Sequence, residues 1–183
     1  MEIEKIEEER LEKYKEEIWE LLVACDEEFV PPLSDRNSST QAVLNQEEKE
    51  DQKIFQKPVV YYRQMIQQEF IVCTEKGTLI GFLTYINGYD NEIFERHIGK
   101  ENNKYVTTIC VQKEHRGKNI AGRLYDALET IVKSERKGVL STRTWSTNRS
   151  HIKILKRKGF ENIETLKDHR GKGIDTVYYL KKL

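Results

Sequence analysis

The chain has 183 residues, 37% of them hydrophobic and 34% charged, a length and mixture that fit one folded domain with one core. Its 31 basic residues equal its 31 acidic ones, so no long-range attraction draws it to a polyanion and a nucleic-acid partner is disfavoured. No run approaches the roughly 18 apolar residues of a membrane helix, and the acidic start MEIEKIEEERLEKYKEE lacks both a signal-peptide core and the character of a transit peptide.

Ile6, Leu11, Tyr14, Ile18, Leu21 and Leu22 recur at helical spacing, which predicts an amphipathic helix over residues 6–24. Pro31 and Pro32 interrupt the segment DEEFVPPLSDRN that follows. Ser38, Ser39 and Thr40 offer caps for a second helix starting near Gln41, with the charged run from Gln46 to Lys53 as its wet face or a loop. Residues 58–68 read as a short helix with Pro58 in its first turn. The period then changes. Residues 70–74 and 79–86 form a predicted hairpin about Glu75, Lys76 and Gly77, residues 87–104 a long polar connection, and residues 105–111 (YVTTICV) a buried strand. A helix is expected over 119–134, a strand over 138–145, and a helix from Arg149 to Lys158 capped by Asn148, Ser146 or Thr147 and ended by Gly159. Residues 160–168 and 174–181 form a closing hairpin. The fold class is therefore mixed α/β in a single domain, with a helical region over 1–67 and a core over 68–183.

The three cysteines, Cys25, Cys73 and Cys110, match no zinc spacing and sit in apolar runs, so they read as buried hydrophobes and no metal is expected. A reducing cytoplasm is the expected compartment.

The segment ICVQKEHRGKNIAGRLYDAL, residues 109–128, carries the chemistry. A buried strand ends at Val111, and a turn holding Arg116, Gly117 and Lys118 opens a helix. Amides at a helix start lack intrahelical partners and carry partial positive charge. The small Gly117, Ala121 and Gly122 let a phosphate approach them, and Arg116 and Lys118 add charge. Such a cradle suits a diphosphate.

Here the chain resembles the GNAT acetyltransferase superfamily. That family's cofactor motif is Arg or Gln, two arbitrary residues, Gly, one arbitrary residue, then Gly or Ala. The frame in this chain is Arg116, Gly117, Lys118, Asn119, Ile120, Ala121, with Asn119 where the family has Gly. Asn tolerates unusual backbone angles, so the turn is expected to survive. Thr147-Asn148 through Lys158-Gly159-Phe160 is similar to the family's second motif, and the element order follows the family's from about residue 68 onward. The sequence HRGKG at 169–173 looks like the glycine motif, but a strand-like run follows it, so it reads as a hairpin turn.

The resemblance implies a central, mostly antiparallel mixed sheet of six or seven strands, splayed at the cofactor and flanked by four or five helices. It implies acetyl-CoA as cofactor, with the pantetheine arm against the backbone of Ile109, Cys110 and Val111, and Asn148 and Ser150 on the other side. The Val111 N–H would stabilise the oxygen that becomes negative when an amine attacks, and one such donor contributes about 3 kcal/mol. The family's proton-donating Tyr position is Leu155 here. His151, read either as a solvent-facing helix residue or as one facing the cofactor, and Glu92 (with Asp90 and Glu95 beside it in a polar, otherwise solvated loop) are candidate acid–base groups, and Thr107 and Thr108 candidate holders of a relay water. Cys110 does not read as a nucleophile, because the family transfers the acetyl group directly.

The N-terminal helices, the loop 26–38 and the connection 87–104 are expected to form the acceptor site. Asp26, Glu27, Glu28 and Asp35 would suit a cationic amine, with Phe29, Pro31, Pro32 and Leu33 as wall or anchor. A small molecule and a protein amine are both compatible acceptors, and the molecule is expected as a monomer or homodimer. The rival readings are a CoA-binding module without catalysis and an interaction domain that has lost its cofactor.

Overall fold

The computed structural model describes residues 1–44, 57–98, 103–135 and 138–183. Its centre is a seven-stranded sheet in the order β1-β2-β3-β4-β5-β7-β6. The strands are β1 (Glu2–Ile6), β2 (Glu69–Glu75), β3 (Thr78–Asn87), β4 (Asn103–Val111), β5 (Val139–Trp145), β6 (Glu161–Leu166) and β7 (Thr176–Lys182). Only β4 and β5 run parallel. The helices are α1 (Glu8–Cys25), α2 (Val59–Met65), α3 (Glu92–Ile98), α4 (Ile120–Ser134) and α5 (Arg149–Arg157). None is long and apolar enough to cross a membrane.

Strand residues alternate between two cores. On one face Ile71, Leu83 and Val106 meet Leu124 and Leu128 of α4 and Leu155 of α5. On the other, Phe70, Phe82 and Cys110 meet Ile18 and Leu22 of α1 and Tyr61 of α2. Farther along this second face Phe94 of α3 packs on Tyr105 and Tyr178.

Three sequence expectations change. The first helix starts at Glu8, not residue 6, because Glu2–Ile6 pairs with β2 as an edge strand. Its outward charges engage neighbours, Lys5 with Glu69 at 2.9 Å among them, and a charged edge resists pairing with other chains. The N-terminal region is therefore not wholly helical. The connection 87–104 contains α3, because Phe94 and Ile98 bury one side of a short amphipathic turn. The helix expected from Gln41 does not begin by Leu44, and the charged run 46–53 lies outside the described residues.

One residue opens the sheet. Thr84 pairs with Thr108 and Tyr85 with Val106, leaving Thr107 as an extra residue in β4. Such a bulge bends its strand. The parallel ladder with β5 runs from Asn103↔Val139 to Val106↔Thr142 and stops there, so β4 and β5 part at the bulge.

Candidate active site

The split between β4 and β5 opens into a cavity of about 470 Å³. On its β4 side, Gly81 lies opposite Val111, and the Gln112 N–H donates to Ile80 O at 2.9 Å. Residues of an antiparallel pair alternate between bonded and non-bonded positions. Val111 is thus in a non-bonded pair with β3, as is Ile109 two residues earlier, and their N–H and C=O groups point toward the edge that β5 has left. Cys110 faces its neighbouring helices, 2% exposed.

The α4 end is built from backbone. Gly117 has φ +78° and Asn119 φ +59°, which together turn the chain from β4 into the helix. Asn119 takes the left-handed conformation that Asn tolerates best among side chains other than Gly. No side chain caps α4. The first intrahelical donor is the Arg123 N–H to Asn119 O at 3.0 Å, and the N–H groups of residues 117–122 make no hydrogen bond among the described residues. Asn119 folds its amide over the first turn, where a Cβ on Gly122 would lie 2.4 Å from its Oδ1, and Arg157 Nη2 donates to that oxygen at 3.1 Å.

Arg116, Gly117, Asn119 and Ala121 line the cavity, whereas Lys118 points toward His115 and Gly122 is buried in the helix. Arg116 turns back across the opening. Its Nε donates to Val111 O at 3.1 Å and its Nη2 meets Glu28 at 2.9 Å. Its Nη2 also approaches Cys25 Sγ at 3.8 Å.

Across the split, Asn148 caps α5 by accepting the His151 N–H at 3.3 Å, and its Nδ2 donates to Thr144 Oγ1 at 3.2 Å. Of the three capping candidates it is the one used. Ser150 is exposed at the cavity wall, 3.4 Å from Asn148 Oδ1. His151 is not solvent-facing: it is half-buried, lines the cavity and stacks on Tyr125 at 5.9 Å. Its Nε2 is 2.9 Å from the Tyr125 hydroxyl. Burial pushes His151 down to about 4 and raises Tyr125 well above the ordinary phenol range, so the pair is neutral near pH 7. Tyr125 was not singled out by the sequence reading, because it continues the apolar face of α4.

Glu92 does not join the site. It is exposed on the first turn of α3, whose inward positions belong to Phe94 and Ile98, and it does not line the cavity. Asp90 and Glu95 are likewise exposed and away from the cavity. Thr107 and Thr108 do line it, but Thr107 bonds Thr84 and Gln68, and Thr108 bonds Tyr61 at 2.8 Å. Leu155 is fully buried core. Of the loop carboxylates, Glu28 reaches the cavity and is held by Arg116, while Asp26 accepts the Ser34 N–H at 2.7 Å.

An open mixed sheet split between its two parallel strands, with unpartnered amides at the helix start beside the split, is the architecture of the chain and of its candidate site. Residues 16–160 match the acetyltransferase (GNAT) family, and the chain belongs to that family. No curated protein sequence matches it. Solved structures with the same fold include a ribosomal-protein-alanine N-acetyltransferase from Brucella melitensis (18% identity, TM-score 0.64, all of both chains covered). Another is yncA of Salmonella typhimurium with its cofactor acetyl-CoA (16%, TM-score 0.63, covering 100% of this chain and 93% of that one). A third is an aminoglycoside 6'-N-acetyltransferase complexed with coenzyme A (13%, TM-score 0.64, 100% and 97%).

Proposed function

We propose that the protein is an N-acetyltransferase that moves the acetyl group of acetyl-CoA directly to a primary amine. The observation that carries this is the run of unpartnered amides at 117–122, opening beside the outward-facing backbone of Ile109 and Val111. These groups fit the cofactor: the helix start would hold the diphosphate, and the free edge of β4, with Asn148 and Ser150 opposite, would hold the pantetheine arm. The cofactor supplies an activated acyl carbonyl. The Val111 N–H is the fixed donor for the oxygen that gains charge as the amine attacks, and a preorganised donor stabilises the transition state without having to reorient.

Proton removal from the amine falls to water or the substrate's own equilibrium. An alkylammonium of pKa about 10 has to lose a proton first, and His151 at about 4 is too weakly basic to hold it near neutrality. Loss of the thiolate needs no protein acid, consistent with Leu155 in the family's donor position.

A thiol-release screen with acetyl-CoA and a broad panel of amines tests the reading, with Arg116→Glu as control. Release with at least one amine, abolished by the added carboxylate beside Glu28, is expected. Cofactor binding without release from any amine identifies a non-catalytic module, and activity unchanged in Arg116→Glu overturns the site assignment.

A further inference from the structure

Three arginines line the part of the cavity that lies on the face of the sheet opposite α4. Arg36 follows a 3-10 turn, Leu33–Asp35; Arg143 lies on β5 one residue past the end of the parallel ladder; Arg170 sits in the HRGKG turn between β6 and β7. Arg36 and Arg170 are only 7% and 6% exposed. Their guanidiniums lie over Phe29 and Trp145 at 5.5 and 5.6 Å.

None of the three pairs with a carboxylate among the described residues. Their partners are neutral oxygens. Arg36 Nε and Nη2 donate to Pro31 O at 2.9 and 2.6 Å. Arg170 donates to Val30 O at 2.6 Å and Thr176 Oγ1 at 3.0 Å. Arg143 Nη2 donates to Gln41 O and, at 3.4 Å, to Ser39 O. A guanidinium carries five N–H donors, so each of the three has donors to spare. All three arginines line the cavity, and none of their N–H groups is both fully buried and without a partner among the described residues.

Burial of cations without counter-ions is unfavourable. Two of the three show it: burial first, then the neighbouring arginines, push Arg170 down to about 9, and burial, opposed by Tyr61 and Asp26 and aided by Arg143, pushes Arg36 down to about 10, whereas at Arg143 burial is outweighed by Tyr105 and Tyr178, which raise it. Among the described residues lining the cavity, positive charge is concentrated at one end and the carboxylate, Glu28, is taken by Arg116. The amides that suit the donor's diphosphate lie at the start of α4, on the other face, so the anion that completes this end arrives with the other substrate.

We propose that Arg36, Arg143 and Arg170 receive an oxyanion, a carboxylate or a phosphate, carried by the amine acceptor. The substrate class is therefore an anionic amine. This rests on the acyl-transfer reading and replaces the expectation of a cationic acceptor drawn from the acidic loop.

The experiment compares matched pairs on the wild-type protein: amino acids against their carboxamides, and O-phosphoethanolamine against ethanolamine, with acetyl-CoA and thiol release as readout. The anionic member of at least one pair is expected to have kcat/KM at least about 30-fold higher, the worth of a charged hydrogen bond, and the two arms separate carboxylate from phosphate. In Arg143→Met and Arg170→Gln that preference falls to near unity while CoA affinity, by calorimetry, stays within about threefold. Turnover that ignores or disfavours the anion overturns the proposal and leaves acyl transfer standing. If no amine releases thiol, acyl transfer fails, and the arginine site is read by calorimetry on the wild-type–CoA complex. Binding of the anionic member, lost in Arg143→Met, supports the site; equal or no binding of both members overturns it.

Discussion

Arg116 and Glu28 meet at 2.9 Å across the opening of the cavity, joining the turn before α4 to the 3-10 turn that follows α1. Both side chains are well exposed, at 40% and 50%, and exposed pairs contribute at most about 1 kcal/mol. Glu28→Gln therefore leaves thermal stability almost unchanged. It also removes an anion that competes with a phosphate for Arg116, so CoA binding tightens by roughly two- to fivefold, within that same 1 kcal/mol. Differential scanning fluorimetry and calorimetry on one variant check both halves.

Asn119 is held at φ +59°, a conformation open to Gly and tolerated by Asn but strained for β-branched residues. Asn119→Gly keeps the fold and CoA affinity within about threefold, offset by about 1 kcal/mol of added chain entropy in the unfolded state. Asn119→Val destabilises by roughly 1–3 kcal/mol and weakens CoA binding, because the turn that aims the amides no longer forms without strain. Urea melts and CoA titrations of the two variants should diverge.

His151 provides a pH test. Its folded value is depressed to about 4 by burial, against about 6.5 in the unfolded chain. Between these values the unfolded state binds more protons, so stability rises with pH through that window. The contribution is fully present above about 6.5 and is lost as pH falls toward 4. His151→Gln should flatten the acid limb of the stability profile, and an NMR titration of the imidazole should show a midpoint near 4. A midpoint near 6.5 would contradict the burial against Tyr125.

Cys110 lines the cavity, and under the proposed direct transfer it is not the nucleophile. Burial holds its thiol well above the ordinary range, and thiolate is the reactive form. Cys110→Ala is expected to retain thiol-release activity within about fivefold and to cost about 1 kcal/mol of stability, as for the loss of one small buried group. Accumulation of an acetylated Cys110 in mass spectra would refute direct transfer.

Much of the fold was legible because burial imposes a period. Leu124, Leu128 and Val132 repeat along α4, and YVTTICV announces β4. β1 was missed because Ile6 fits both the helical register of α1 and the alternation of a five-residue edge strand. α3 was missed because two buried residues, Phe94 and Ile98, are a weak signal in a polar stretch. The helix-start amides followed from the local string RGKNIAG. The arginine cluster could not, since it is assembled from positions 36, 143 and 170. The traces in sequence were a charged residue inside the strand GVLSTRTW and the HRGKG turn, whose arginine points inward to the cavity instead of opening a helix. Likewise Tyr125 and His151 meet only because α4 and α5 pack side by side.

The sheet has a seam. Among the described residues, the ladder between strands β1–β4 and strands β5–β7 has four residue pairs, Asn103↔Val139 to Val106↔Thr142. A molecule lying along the split, touching the β4 backbone on one flank and Asn148 on the other, therefore serves as a rivet between two half-sheets. Amide exchange at Val106 and Ser141, whose backbone groups face one another across the seam, should slow more on CoA addition than exchange within β2 or β3, making those two amides a direct gauge of how firmly the halves are clamped.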